Sequence, residues 1–262
     1  MREQKKSSAK FTVINKPRLL ITRFSPHAEK LTDELKKADI FSIAQPLLEI
    51  EALNDDLTTA KFLSGFYDII IAVSGNAVEC TVKLTNQHWP TTNYFAVGPS
   101  TQKLLKNVTR QNTIIPSSRY DSEGLLELDA LHLVKNKNIL ILRGEGGRDF
   151  LDKTLVTRGA VVEFLQSYKR IKLDHDGQVL VDKWQQASIN GAIISSIEIL
   201  NQLFSLVPSK HTSWLTALTF YVPSERIAQK ASALGVVNVE LLPNLSTNSI
   251  IDFFKKNNGV RE

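Results

Sequence analysis

Apolar residues along the chain fall in short, β-branched runs, each followed by a polar turn and then by a stretch with helical spacing. The runs at 18–22, 68–73, 94–97, 138–142, 191–194 and 220–222 are too short for helices and apolar enough to be covered on both faces, so they are predicted as buried strands. The segments that follow, 27–37, 77–84, 101–106, 197–204 and 225–234, carry apolar residues on one helical face. Strand alternating with helix predicts an α/β fold with parallel sheets. Two further stretches, 41–52 and 161–173, alternate apolar and polar residues, which suits half-exposed strands.

These units recur in order. Leu19–Arg23 before a helix matches Leu140–Arg143, with Arg23 and Arg143 offset by 120 residues. Ser74 and Ser196 stand 122 apart in the next matching pair, and Ser100 and Ser224 stand 124 apart in the third. In the last pair Leu125 and Ile250 are offset by 125. Four ordered matches with a slowly drifting offset predict two similar α/β units of about 120 residues, an ordinary domain size. The alternating stretches 41–52 and 161–173 hold equivalent places in the two halves, as crossovers between two domains would.

Composition narrows the class. The 262 residues are 42% hydrophobic and 23% charged, which is globular and excludes wholesale disorder. No apolar run approaches the roughly 20 residues of a membrane helix, so no membrane partner is expected. The N-terminal 1–10 is polar and basic, read as a flexible tail and not as a secretory signal. One cysteine, Cys80, excludes an internal disulfide and a multi-cysteine metal cage, and points to a reducing, cytoplasmic compartment. The net charge of +5 favours anionic partners without choosing among polycarboxylates, phosphates and nucleic acid.

Several chemistries fail at the level of motif. Gly144, Gly146 and Gly147 follow a strand, but Asp149 breaks the dinucleotide fingerprint. There is no phosphate-binding loop, nucleophile elbow or HExxH. The scattered His27, His88, His132, His175 and His211 read as surface or turn residues, and 174–177 as a polar turn, so neither metal nor cofactor is expected. No aromatic–basic strand motif or recognition helix supports nucleic acid. What survives is a set of strand-to-helix turns: Ser74-Gly75-Asn76 with Ala77, Gly98-Pro99-Ser100-Thr101, Ser195-Ser196 and Pro223-Ser224. At the carboxyl edge of a parallel sheet such turns aim free N–H groups at a ligand, and helix N-termini attract anions. Plain N-capping is the simpler reading of any single turn. Four of them, with Arg23, Arg143, Arg148 and Arg226 alongside, favour a polyanion site.

The landmarks from about residue 16 to 254 resemble the uroporphyrinogen-III synthase family. They are LLITR with Pro26 following, the crossover QPLLEIEA (45–52), YDIIIAVSGNAV, YFAVGPST, SEGLL, ILILRGEGGRDFL, a second crossover with SYKRI, AIISS and PSERIAQKASALG. The usual Thr-Arg-Pro is Thr22-Arg23-Phe24 here, with proline two places on. The resemblance implies that the first strand and helix of each half belong to the opposite domain. One domain then comprises 11–40 and 174–262, the other 53–160, with 41–52 and 161–173 as a two-stranded linker ladder and hinge.

The activity implied is cyclisation of hydroxymethylbilane, a linear tetrapyrrole with eight carboxylates, to uroporphyrinogen III with loss of water and inversion of ring D, a lyase reaction of haem and sirohaem synthesis. The small-molecule substrate suits distributed N–H donors and a mild positive charge. Its spontaneous closure gives the uninverted isomer, so the catalyst's task is chiefly orientation. Closing two domains on the substrate would exclude water. Tyr168, in the second crossover at the family's tyrosine position and expected to face the cleft, is the candidate donor to the leaving hydroxyl, since a phenol of pKa ~10 stays protonated at neutral pH. From the residues alone, an aromatic packed on a half-buried strand is equally open. Substrate-binding candidates are Arg23, Ser74, Asn76, Ala77, Gly98, Ser100, Thr101, Arg143, Ser195, Ser196, Ser224 and Arg226, with Glu145 and Arg148 in the glycine-rich loop read as structural or functional alike. A monomer is expected, in transient contact with the preceding pathway enzyme. The rival reading is a cytosolic two-domain hinge protein that binds a small polyanion without catalysis.

Overall fold

The computed structural model describes residues 16–53, 55–84, 89–147 and 149–257. The 1–10 tail, His88 and Arg148 lie outside the described residues.

The chain begins in the first of two compact units with β1 (Arg18–Ile21), α1 (His27–Lys37) and β2 (Phe41–Ala44). β3 (Leu48–Ala52) leads into the second unit, which continues through α2 (Asp56–Leu63), β4 (Ile69–Ala72), α3 (Gly75–Lys83), β5 (Asn93–Ala96) and α4 (Pro99–Thr109). β6 (Thr113–Ile114), α5 (Ser122–Leu126), α6 (Asp129–His132), β7 (Asn138–Gly144), α7 (Phe150–Thr157) and β8 (Val161–Lys172) complete it. The first unit then resumes with α8 (Gly177–Gln186), β9 (Gly191–Ile193), α9 (Ile197–Leu206), α10 (Thr212–Ala217), β10 (Thr219–Val222), α11 (Glu225–Ala233), β11 (Asn238–Leu241) and α12 (Thr247–Asn257). Residues up to Leu48 and from Lys172 onward form the first unit; Glu49–Ile171 form the second.

Both sheets have one strand order. The first runs β11-β10-β9-β1-β2, parallel throughout. The second runs β3-β8-β7-β4-β5-β6 and is parallel from β8 to β6. Setting β1 against β7, β2 against β8, and β9, β10 and β11 against β4, β5 and β6 matches the orders strand for strand. The strand that opens each sequence half pairs with a strand from the other half, β1 with β9 and β7 with β4. The sequence repeat is therefore a repeat of topology, interleaved along the chain.

Burial on both faces explains the unbroken apolar stretches Leu19–Ile21, Ile69–Ala72 and Ile139–Leu142 in the central strands. In the first unit Leu19 and Ile21 face one core with Ile193, while Leu20 faces another with Ala192 and Ile194. In the second, Ile69 and Ile71 lie with Ile139 and Ile141, and Ile70 and Ala72 with Leu140 and Leu142. Each sheet is covered by helices on both faces, which a parallel sheet requires.

The crossovers are corrected in detail. Phe41–Ala44, expected in the linker ladder, is the edge strand of the first sheet, in register with β1 from Arg18↔Phe41 to Ile21↔Ala44. Only β3, from the second half of 41–52, pairs with β8. The start of 161–173 likewise pairs with β7, from Asn138↔Val161. Half-exposed alternation marks a sheet edge as readily as a linker, and the sequence signal is the same for both. Within the second unit Leu53 N–H reaches the Ser167 carbonyl at 3.1 Å, and within the first Leu173 N–H reaches that of Leu47 at 3.1 Å.

Side-chain caps fix where helices begin. Asp55, Ser74, Asp121, Asp176 and Ser196 each accept a backbone N–H of the first turn they precede. Ser196→Ala leaves the Ile199 N–H, now bonded at 3.2 Å, without that acceptor. It is expected to cost about 1 kcal/mol, read as a lower urea midpoint at unchanged slope.

Candidate functional site

In open parallel sheets ligands bind outside the carboxyl ends of the strands, where the strand order reverses. In the second unit that reversal lies between β4 and β7. Ser74 follows β4, Gly98 follows β5, and Gly144 ends β7 directly opposite Tyr168 of β8. The tyrosine comes to this edge through an irregularity in pairing. Arg143 pairs with Gln166, but Gly144 pairs with Tyr168, so Ser167 is an extra residue in β8. A bulge of this kind breaks alternation and re-aims the next side chain. Leu165 is buried and Gln166 exposed, as alternation requires; then Ser167 and Tyr168 are both buried. Tyr168, expected to face a cleft, is instead 1% exposed and joins Leu165 in the core beneath α3, because the bulge turns its ring inward. The Ser167 hydroxyl donates to the Ala77 carbonyl at 3.1 Å and fastens β8 to the same helix.

The phenol is held from several sides. Its oxygen lies 3.1 Å from Ser74 Oγ, which accepts the Ala77 N–H at 3.1 Å as the cap of α3. Arg170 Nη2 donates to the same phenolic oxygen at 3.1 Å, and the guanidinium carbon lies 5.3 Å from the ring centroid. A Cβ at Gly144 would stand 2.5 Å from the ring's Cζ, so the ring occupies the space of the missing side chain. The Tyr168 carbonyl accepts the Glu145 N–H at 2.8 Å. Ser74, Ala77, Gly144, Tyr168 and Arg170 thus make one built cluster.

The helix ends nearby differ in how they are filled. α4 starts at Gly98, which has no side chain to cap it, with Pro99 in the first turn. A Cβ at Gly98 would lie 3.1 Å from Tyr120 Cβ, so glycine also admits the Tyr120 side chain. Ser100 is exposed and Thr101 buried, while Asn76 in the first turn of α3 is half-buried. Neither α3 nor α4 has an acidic residue in its first turn, although a helix N-terminus favours one. The partial positive charge at both ends is not offset by an acidic side chain of the first turn.

In the first unit the order reverses between β1 and β9. The Thr22 hydroxyl donates to the Ile193 carbonyl at 2.8 Å and ties the two strands together. Arg23 follows; its Nη1 donates to the Leu245 carbonyl at 3.0 Å, and burial holds its pKa below the ordinary arginine value. Ser195 and Ser196 follow β9, both half-buried, and Ser196 caps α9. Ser224 precedes α11 without making a side-chain cap, and Arg226 is exposed in the first turn. Arg226 shares that turn with Glu225, an acid of the kind the helix dipole favours there.

Arg143 is not brought to Tyr168. It takes the opposite face of β7, nine-tenths buried, with its guanidinium carbon 4.9 Å from the Phe164 centroid and Nη2 3.9 Å from Asp149. A Cβ at Gly147 would sit 2.5 Å from Nη2, so that glycine makes room for the guanidinium. Cys80 is buried, and burial raises its thiol pKa, which keeps it protonated. His175 bonds the Pro46 carbonyl at 2.9 Å, and Asp176 caps α8, so the 174–177 turn is structural. Among the described residues no three His, Cys, Asp or Glu gather to hold a metal ion. No helix among them is long and apolar enough to cross a membrane.

A sequence model described as uroporphyrinogen-III synthase HemD matches residues 29–249. The chain is 33% identical over 244 residues to the uroporphyrinogen-III synthase of Escherichia coli K12, covering 89% of this chain and 98% of that protein. It belongs to the uroporphyrinogen-III synthase family. The synthase of Salmonella typhimurium LT2 is 32% identical over 240 residues, covering 89% of this chain and 98% of its own. Two solved synthases share the fold at low identity. One from Thermus thermophilus has a TM-score of 0.62 at 15% identity and covers 92% of this chain and 98% of its own. One from Helicobacter pylori has a TM-score of 0.58 at 13% identity and covers 92% and 99%.

In this member of the uroporphyrinogen-III synthase family, sequence reading found Ser74 and Tyr168 but missed three partners. Arg170 stands two residues after Tyr168 on one strand, the spacing that puts side chains on one face. That spacing was the available signal. Gly144 was read only as part of a broken fingerprint, and Ser167 carried no signal because its bulge is a property of pairing. Ser74→Ala removes both the α3 cap and the Tyr168 contact. It is expected to cost about 1 kcal/mol, read as a lower urea midpoint.

Proposed function

We propose that this chain is itself a uroporphyrinogen-III synthase, a cyclising hydro-lyase that turns hydroxymethylbilane into uroporphyrinogen III and water. The observation that carries the proposal is the Ser74–Tyr168–Arg170 cluster, at the carboxyl edge of a sheet in a chain alignable with bacterial synthases over nearly their whole length.

The chemistry needs an orienting surface and one neutral donor. The ring A nitrogen pushes out the hydroxyl of the hydroxymethyl group; the C–O bond breaks, and the departing oxygen takes a proton and leaves as water. The resulting azafulvene carbon is attacked by the substituted α-carbon of ring D, giving a spiro-pyrrolenine. The bond from ring D to the ring C bridge then breaks, and the freed bridge carbon bonds the other α-carbon of ring D, which loses its proton. The pyrrole nitrogen supplies the electron pair, so the sequence of steps calls for no metal or redox cofactor. Tyr168 donates its hydroxyl proton to the departing oxygen, and the proton that ring D loses at the last step restores the phenol, so the steps balance as substrate to product plus water.

In the second unit carboxylates are bound by hydroxyls, side-chain amide and N–H groups at two strand-to-helix turns: Ser74 and Asn76 at α3, and Gly98, Ser100 and Thr101 at α4. The lack of an acid in the first turns of α3 and α4 supports this assignment. Arg23 adds positive charge beside the β1–β9 reversal, and Arg143 supports the glycine-rich loop from beneath. The protein works as a monomer in the cytoplasm, beside the enzyme that releases its unstable substrate. A bacterium deleted for its own synthase and carrying this chain is expected to regain haem synthesis. Continued accumulation of type I porphyrin alone would falsify the proposal.

A further inference from the structure

We infer that Arg170 is a positioning residue for the reaction, which aims and strengthens the Tyr168 hydroxyl as a hydrogen-bond donor. The inference rests on the synthase reading for its kinetic part only.

A phenolic hydroxyl has one proton to give and can accept at its oxygen. Arg170 Nη2–H occupies the oxygen as a donor at 3.1 Å, and guanidinium cannot accept in return. The hydroxyl proton is thereby directed away from Arg170; either hydroxyl can donate in the 3.1 Å contact with Ser74 Oγ, which leaves the phenol proton able to turn to a departing oxygen. Ser74 Oγ already receives the Ala77 N–H, so its position is fixed by the helix. As the proton moves toward the leaving oxygen, negative charge grows on the phenol beside a permanent cation. Charge-assisted hydrogen bonds of this kind are about twice as strong as neutral ones. Arg170 acts through Tyr168 and is given no contact with the reacting atoms. Neighbouring Lys169 is committed elsewhere, paired with Glu51 at 2.8 Å, and does not substitute.

The kinetic experiment compares Arg170→Met and Arg170→Lys with the parent chain on fresh hydroxymethylbilane. Arg170→Met is expected to lose about tenfold in kcat with KM within about twofold, the signature of an interaction made in the transition state. Arg170→Lys, which keeps a cationic donor, is expected to recover most of that loss. A rise in KM at unchanged kcat makes Arg170 a carboxylate ligand and overturns the inference, as does a lysine variant no faster than the methionine one.

A second readout does not depend on activity. The chain has 5 tyrosines, and 3-fluorotyrosine labelling with Tyr168→Phe as reference assigns the Tyr168 fluorine resonance. Arg170→Met is expected to shift that resonance and leave the others in place; an unmoved Tyr168 signal overturns the inference. If the parent chain forms no type III isomer while the resonance still shifts, the synthase reading has failed and the Arg170–Tyr168 contact has not.

Discussion

Tyr168→Phe is expected to lower kcat by about a hundredfold, the usual cost of removing one preorganised donor, while the protein stays folded. The substitution deletes only the phenolic oxygen. The ring is 1% exposed and packed with Leu165 under α3, so phenylalanine fills the same volume. The lost bonds are those to Ser74 and Arg170. Ser74 keeps its cap on the Ala77 N–H, and the loss should be about 1 kcal/mol in stability. KM should change little, because the carboxylate-binding turns lie on other residues. As the enzymatic rate falls, spontaneous closure takes a larger share of the substrate, and type I product should rise with it. A variant with parent rate and parent isomer ratio removes Tyr168 from the mechanism.

Gly144→Ala should be nearly as costly, by a different route. The new methyl carbon would stand 2.5 Å from Tyr168 Cζ and 2.7 Å from Cε2, about 1 Å inside ordinary contact. Gly144 ends a central strand in register with Tyr168 itself, and the ring's other sides are filled, so the ring must move off Ser74 and Arg170. A displacement of about 1 Å at a reacting group can cost up to a hundredfold, and forced overpacking costs about 1–3 kcal/mol. The expected outcome is a turnover loss of at least about tenfold together with a lower urea midpoint. Stability and turnover at parent values would show that the ring does not need the space Gly144 leaves.

The fold was legible because its signal is local. Runs such as 69–73 and 139–142 are apolar at every position, as two-faced burial requires, and α1 fell at 27–37 as its spacing predicts. The repeat was legible for the same reason: equivalent turns stand at nearly constant offset. The partition of the crossovers was not. Phe41–Ala44 and Leu48–Ala52 have the same half-exposed character, and pairing partners separate them. In the site, Ser74 and Tyr168 stand in recognisable strings, and capping chemistry singles out serine. Arg143 looked equivalent to Arg23 by offset, yet its side chain lies under the glycine loop on Phe164. Strand phase decides that, and β7 carries apolar residues in both phases. Tyr168's burial was hidden by the bulge at Ser167, since strict alternation would have turned it outward with Gln166.

Central to this account is that the chain imposes ring inversion on a substrate that otherwise closes without it. The most direct measurement supplies the purified chain with freshly prepared hydroxymethylbilane, stops the reaction well before spontaneous closure completes, oxidises the products and separates the porphyrin isomers. The account predicts uroporphyrin III as the dominant isomer, in an amount that grows with protein concentration. Type I alone, at the rate of the protein-free control, would contradict it.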